Sequence, residues 1–335
     1  MPKSKLSATE LIAEKGYLAQ RAEKLKEDQH ASDKRELEGA LRAAEQHLAQ
    51  MSRQASASVV RLKTPARKAK AAKHITRVII PDSHGNHIDP VAAKAFLQDL
   101  QKLRPEQIIM LGDHLDCGGT FNSHQRSYTN EIPESYVDDI ATANEFLDRI
   151  CEYAPSAEVH YLEGNHEHHI ERWAARNMTV KNDADLLLEV FGPSATLHLK
   201  RRGIRYYDTK SFHHGLTVRG TIRIGKCHFT HGISHSKHAD STHLERFNGN
   251  VVFGHVHRVL AVGGRTVTST GHGAWSPGTL AKLQPLYRHT EPTTWQHGYG
   301  VQFVNASTGL FAHFNVPIFS NGITGLDPLV GALSK

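Results

Sequence analysis

The chain has 335 residues, a formal charge of +6, 39% hydrophobic residues, 25 histidines and three cysteines, enough for one sizeable domain with an appendage or for two domains. No apolar run approaches the roughly 18–20 residues that cross a bilayer, which excludes a membrane-spanning helix. The opening MPKSKLSATELIAEKGYLAQ lacks the features of a secretion signal, and Cys117, Cys151 and Cys227 are far apart without CxxC spacing, so a cytoplasmic location is expected.

Residues 7–52 read as helix, without proline and with only Gly16 and Gly39 as breaks. Leu37, Leu41, Ala44, Leu48 and Met51 step by four, three, four and three, a heptad seam, and Leu11, Leu18, Ala22 and Leu25 give a weaker version. The spacing predicts a first unit over 1–52, either a helical hairpin on the body or a coiled coil that makes a homo-oligomer or meets a protein partner. Residues 53–74 are a basic linker broken by Pro65. Its seven cations, Arg53, Arg61, Lys63, Arg67, Lys68, Lys70 and Lys73, face no acidic residue and exceed the net charge of the whole chain. The linker reads as a solvated tether, or as a contact to the phosphate backbone of nucleic acid. No aromatic residue interleaves its charges, so stacking on bases is not expected from it.

From residue 75 short apolar runs alternate with amphipathic stretches. RVIIP (77–81), QIIML (107–111), EVHYL (158–162), KCHFT (226–230) and NVVFG (250–254) are strand-like, whereas 90–103, 134–152 and HHIERWAARN (168–177) are helix-like. The alternation predicts an α/β domain over 75–335, closed by two antiparallel strands in GYGVQFVN and GLFAHFNVPIF. STGHGAWSPG (269–278) reads as a glycine-rich flap or as a turn anchored by Trp275.

Each of the five strand-like runs ends in polar residues of one kind: Asp82 and His84, then GDHLD (112–116), GNHE (164–167), THG (230–232) and GHVH (254–257). Ligands bind beyond the carboxyl ends of strands in open α/β sheets. Any one Asp-x-His or His-x-His is weak in so histidine-rich a chain, but five such clusters at strand ends predict a metal site. Carboxylate, imidazole and an amide oxygen form a mixed O/N donor set suited to Mn, Fe, Zn, Co or Ni rather than Ca or Mg. Two ions about 3.5–4 Å apart would clamp the attacking and leaving oxygens of an in-line displacement at phosphorus.

In the order D-x-H, GD-x-x-D, GNH-E, H-G and GH-x-H, residues 82–257 resemble the calcineurin-like metallophosphoesterase superfamily. The resemblance implies stacked mixed β-sheets flanked by helices, with the N-terminal α-helical part as an extension. It implies two divalent ions, manganese foremost, one held by Asp82, His84 and His257 and the other by Asn165, His231 and His255, with Asp113 bridging. A metal-bridging hydroxide would attack phosphorus, and His166 would protonate or stabilise the leaving oxygen. Asp116 and Glu167 are expected to orient ligand imidazoles. His114, next to Asp113, and Arg172, on one helix face with Arg176, are candidates to touch substrate.

GDHLDCGG lacks the arginine of the GDxVDRG motif of protein Ser/Thr phosphatases, and the complete GH-x-H is shared with phosphodiesterases and SbcD-type nucleases, although nucleases more often read GNHD. YRHTEPTTWQHGYGVQFVN and VPIFSNG are similar to the tails of phosphoesterases encoded by bacteriophages, which would place the chain in a host cytoplasm. The expected function is a two-metal phosphodiesterase acting on nucleic acid or nucleotides. The alternatives are a phosphomonoesterase for proteins or small metabolites and, from another class, a non-catalytic metal-binding scaffold.

Overall fold

The computed structural model describes residues 74–118, 121, 135–265, 271–285 and 291–327. The expected helices over 7–52 and the basic linker up to residue 73 lie outside the described residues. Strand β1 (His74–Ile80) leads to α1 (Pro90–Leu103), β2 (Gln107–Met110), α2 (Tyr136–Tyr153) and β3 (Glu158–Leu162). Then come α3 (His168–Asn177), α4 (Lys181–Phe191), the short α5 (Pro193–Thr196) and α6 (Leu199–Arg202), and β4 (Arg205–Tyr207). The second half holds β5 (Thr221–Ile224), β6 (Cys227–Thr230), α7 (Ala239–Phe247), β7 (Asn250–Phe253), β8 (Val259–Gly264), β9 (His272–Pro277), β10 (Gly298–Asn305) and β11 (Phe311–Pro317).

These strands form two mixed sheets, ordered β11-β10-β1-β2-β3-β4 and β5-β6-β7-β9-β8. In the first, β1 to β4 are parallel, with Val78 opposite Ile108 and Ile108 opposite Val159, while β10 runs antiparallel to β1 and β11 antiparallel to β10. In the second, β6, β7 and β9 are parallel, and β5 and β8 are antiparallel edges.

The period-two side-chain alternation of a strand explains why the parallel runs are apolar throughout: both faces are covered. Val78, Ile80, Ile108, Met110, Val159 and Tyr161 face one core, shared with Phe96 and Leu100 of α1 and Leu147 and Ile150 of α2. Ile79, Ile109 and Leu162 face the other way and meet Ile222, Phe229 and Val252 of the second sheet. Val251, Phe253 and Ala274, on the outer face of that sheet, pack with α7. Helix α1 starts where Asp89 accepts from the Val91 and Ala92 N–H groups with Pro90 at its first position, a cap contributing about 1 kcal/mol.

The described part of segment 269–278 is mostly strand rather than flap or turn. Residues 272–277 of it form β9, and Trp275 lies between the sheets, its ring stacked on His313 with centroids 4.9 Å apart. Its apolar body is worth more buried there than at a surface turn. Among the described residues no helix is long and apolar enough to cross a membrane.

Candidate metal centre

Strands β1, β2 and β3 of one sheet and β6 and β7 of the other each deliver a polar turn just past the carboxyl end. Asp82 and His84 follow β1, Asp113 follows β2, Asn165 and His166 follow β3, His231 follows β6, and His255 and His257 follow β7. Backbone lies on backbone at this edge. A Cβ on Gly112, whose φ is +101°, would meet the Gly164 nitrogen at 2.6 Å, and one on Gly164 would meet the Asp113 nitrogen at 2.3 Å. His84, Asp113, His255 and His257 all have left-handed backbone, with φ between 50° and 70°. Such conformations cost a non-glycine residue about 1–2 kcal/mol. Their concentration here marks a place where chain geometry serves the site.

Two groups of donor atoms result. In the first, His257 Nε2 is 3.0 Å from both Asp82 Oδ2 and His84 Nε2. In the second, His231 Nε2 is 2.9 Å from Asn165 Oδ1 and 3.2 Å from His255 Nδ1. Asp113 Oδ2 lies between them, 3.2 Å from His231 Nε2 and 4.0 Å from His84 Nε2. The triads Asp82–His84–His257 and Asp113–His231–His255 each keep their donor atoms within 4.8 Å of one another.

The proton inventory of these groups shows what they lack. His231 Nδ1 donates to the Leu111 carbonyl at 3.0 Å, so the Nε2 of its neutral ring is a lone pair, facing a carboxylate, an amide oxygen and an imidazole nitrogen. His84 Nδ1 is likewise committed to Asp116 Oδ1 at 2.9 Å, leaving its Nε2 lone pair toward His257 Nε2. Lone pairs converging on lone pairs call for positive charge between them, a proton or a metal ion. Without an ion the cluster draws a proton instead. Burial opposes charge on His231, but Asp113 beside it raises its pKa to about 9. Burial opposes ionisation of Asp82, yet His257 and His231 bring it down to about 2. The set therefore fits divalent ions of the borderline class, which accept imidazole and carboxylate together.

The surrounding residues hold these donors in place. Asp116 accepts from His84 Nδ1 and lies 3.2 Å from His166 Nδ1. Glu167 differs from expectation. It touches no ligand imidazole but accepts from the N–H groups of Asp113, His114, Leu115 and Gly164 and from the Tyr161 hydroxyl. It fixes the backbone of the GDHL turn because, at 1% exposure, it lies under that turn.

His166 is 19% exposed, its Nδ1 on the Asp116 carbonyl at 2.8 Å and its Nε2 3.9 Å from Asp113 Oδ2. Burial disfavours its charge, but Asp113 and Asp116 outweigh that and hold its pKa well above the usual imidazole range. His114 lies inside. It is 2% exposed beneath the cluster, with Nδ1 2.9 Å from Ser83 Oγ and its ring edge on Tyr161. Arg172 is half-buried on α3; burial first, then the charges of His166 and Arg172, lower the pKa of His169 to about 4, and the His169 ring packs against His166.

Two neighbours were not legible as site residues. Asp139, in the first turn of α2, accepts from the N–H groups of Asn86, Asp116 and Cys117. Its one trace in the sequence is a carboxylate on the stripe that Ala143, Leu147 and Ile150 make apolar. Trp295 packs across His257, centroids 4.2 Å apart and planes at 76°, and the Gln296 N–H donates to the His257 carbonyl at 2.8 Å. Nothing in the sequence around Trp295 signals this contact.

Two stacked mixed sheets, flanked by helices and carrying a His/Asp/Asn cluster at their carboxyl edge, define a metallophosphoesterase fold. The chain belongs to the calcineurin-like phosphoesterase family, whose model matches residues 75–259. No curated protein matches the chain in sequence. Among solved structures, it is similar to Vacuolar Protein Sorting 29 from Cryptosporidium parvum at 11% identity, over 75% of this chain and 94% of that one, with TM-score 0.37. A single mutant of Vps29 from Entamoeba histolytica is 12% identical over 74% of this chain and 95% of its own, with TM-score 0.32. YfcE, a phosphoesterase from E. coli, is 14% identical over 72% and 99%, with TM-score 0.30.

Proposed function

We propose that the chain is a two-metal phosphodiesterase that cleaves nucleic acid or nucleotides. The observation that carries the metal reading is His231 Nε2, a lone pair held by the Leu111 bond at Nδ1 and aimed at Asp113, Asn165 and His255. Asp82, His84 and His257 would hold one ion, Asn165, His231 and His255 the other, and Asp113 both. Bound there, divalent ions supply Lewis-acid charge at the phosphoryl oxygens and a nucleophile at neutral pH.

The protein's own residues do the rest. Asp116 fixes the ring planes of His84 and His166 together, so the acid and the first ion site share one anchor. His166 keeps its Nδ1 proton on the Asp116 carbonyl and presents Nε2–H to the leaving oxygen, to which that proton passes as the P–O bond breaks. Arg172, one turn into α3, would be the contact for a non-bridging oxygen.

The residue after Asp116 favours the diester over the monoester. Where protein phosphatases of the superfamily place an arginine, this chain has Cys117, a buried thiol that burial and the Asp139 carboxylate keep neutral. A neutral residue there suits the single charge of a diester better than the double charge of a monoester. The test is turnover of bis(p-nitrophenyl) phosphate beside p-nitrophenyl phosphate with Mn²⁺, for wild type and His166→Ala. Diester turnover above monoester turnover, lost by about 10²–10⁴ in the variant, is the expected result. Preference for the monoester makes the chain a phosphomonoesterase, and silence on both with metal bound makes it a scaffold.

A further inference from the structure

The stretch from α6 to the β5–β6 turn, which holds β4 at the edge of one sheet and β5 at the edge of the other, is as basic as the linker. Residues 200–226 carry eight lysines and arginines against one acid, Asp208. Three of these cations are used inside the fold: Arg202 pairs with Asp148, Arg205 with Glu158, and Lys210 with Glu171. Among the described residues Arg219, Arg223 and Lys226 have no carboxylate partner. Arg219 lies over the ring of Phe212, 5.0 Å from its centroid, and Phe212 is 57% exposed. An aromatic ring held open to solvent with a guanidinium on its face is a stacking platform.

The topology ties this platform to the metal centre. The loop 208–220 is anchored at both ends beside ligand turns. At its start the Thr209 N–H donates to Glu163, the residue before Gly164 and Asn165, at 2.6 Å. At its end Thr221 pairs with Thr230, the residue before His231. Inside the loop the Gly220 N–H donates to the Ser211 carbonyl, which brings Phe212 and Arg219 side by side. From there β5 runs away from the centre as the edge of its sheet, and Arg223 is opposite His228 near the hairpin turn that carries Lys226. At about 3.3 Å per residue, the cations from Arg219 to Lys226 form a row of roughly 15–20 Å.

We propose that this edge is a track for single-stranded nucleic acid: Phe212, backed by Arg219, stacks a base, and Arg223 and Lys226 hold phosphates on the side away from the metal centre. A single strand is specified because the platform needs an unstacked base, which a duplex does not offer. The proposal rests on the diesterase reading and supplies its substrate class.

The test uses the full chain with metal removed by EDTA, so that binding is read without turnover. Anisotropy of a labelled 15-mer oligo(dT) is measured against salt for wild type, Phe212→Ala and the triple variant Arg219→Ser, Arg223→Ser, Lys226→Ser. A linker variant with serine at Arg61, Lys63, Arg67, Lys68 and Lys70 is measured beside them. Phe212→Ala is expected to weaken binding about tenfold with the salt slope unchanged. The triple variant is expected to lower the slope of log K against log salt by about 1.4, at roughly 0.7 for each of the phosphate contacts of Arg223 and Lys226. Both keep wild-type turnover of bis(p-nitrophenyl) phosphate when Mn²⁺ is restored, since neither alters a metal-site residue. Wild-type affinity and slope in both edge variants, with any loss confined to the linker variant, would overturn the track, as would absence of oligonucleotide binding by wild type. Absence of diester turnover in wild type overturns the diesterase reading instead, and the isotherms still decide the track.

Discussion

His231 and Asp113, from different sheets, meet with Nε2 and Oδ2 3.2 Å apart, and the imidazole has no neutral-state proton to offer because its Nδ1–H is spent on Leu111. A divalent ion would satisfy both. Adding Mn²⁺ to metal-free protein is expected to raise its melting temperature, by the equivalent of about 2.7 kcal/mol at a hundredfold excess over Kd. Asp113→Asn is expected to remove most of that upshift and to at least halve the metal per chain measured by elemental analysis. An undiminished upshift in the variant would show that the ions sit elsewhere.

Asp116 Oδ1 is shared by the Nδ1 atoms of His84 and His166. Asp116→Asn should therefore weaken metal binding, by the roughly 10–100-fold typical of a partner behind a ligand imidazole, and also lower kcat. His166→Ala should lower kcat with metal affinity kept. Calorimetric titration of both variants separates the two roles, and equal metal affinity in both would refute the shared anchor.

Gly164 and Gly215 make a matched comparison. Alanine at Gly164 places a Cβ 2.3 Å from the Asp113 nitrogen, whereas alanine at Gly215 meets nothing within 4 Å and is strained only by its φ of +72°. Gly215→Ala should cost about 1–2 kcal/mol in urea unfolding with metal binding intact. Gly164→Ala should cost more and lose metal as well, because the turn bearing Asp113 must move.

His313 gives the pH dependence a sign. Its Nδ1 accepts from the Gln302 amide at 3.2 Å and its Nε2–H donates to Asn315 Oδ1 at 2.9 Å, an arrangement for the neutral ring. Burial lowers its pKa to about 4 from the 6.5 of the unfolded chain. The unfolded state therefore binds the extra proton between pH 6.5 and about 4. Stability from this residue is complete above that window and falls through it by about 1.4 kcal/mol per pH unit. Denaturant midpoints from pH 7 to 4 should fall less steeply in His313→Gln than in wild type.

Much of the fold could be read from the sequence because its strands are short, apolar and bounded by turns. The five runs before the polar clusters became β1, β2, β3, β6 and β7 within one to three residues, and α1 kept its 90–103 bounds. The edge strands β4, β5 and β8 were less visible: RYY and TIRI are short and mix exposed and buried positions, and VLAVGG is followed by no polar cluster of the ligand type and has no fully buried position. The strand-end residues were legible because a donor atom must be a particular residue type. The supports were not, since a backbone N–H can be satisfied by any carboxylate that reaches it. Glu167 and Asp139 do this work from positions whose partners only the fold defines. The basic edge at 200–226 was hidden in a near-neutral average because its charges are spread through several elements.

Each half of the candidate centre draws on both sheets and on residues far apart in the chain. Asp82 and His84 precede their partner His257 by 175 and 173 residues. The stretch 82–257 is the shortest that holds Asp82, His84 and His257 together, and an ion bound there would rivet one sheet to the other. A chain whose sheets had stacked out of register would have no complete donor set to offer an ion, so metal uptake would report correct assembly.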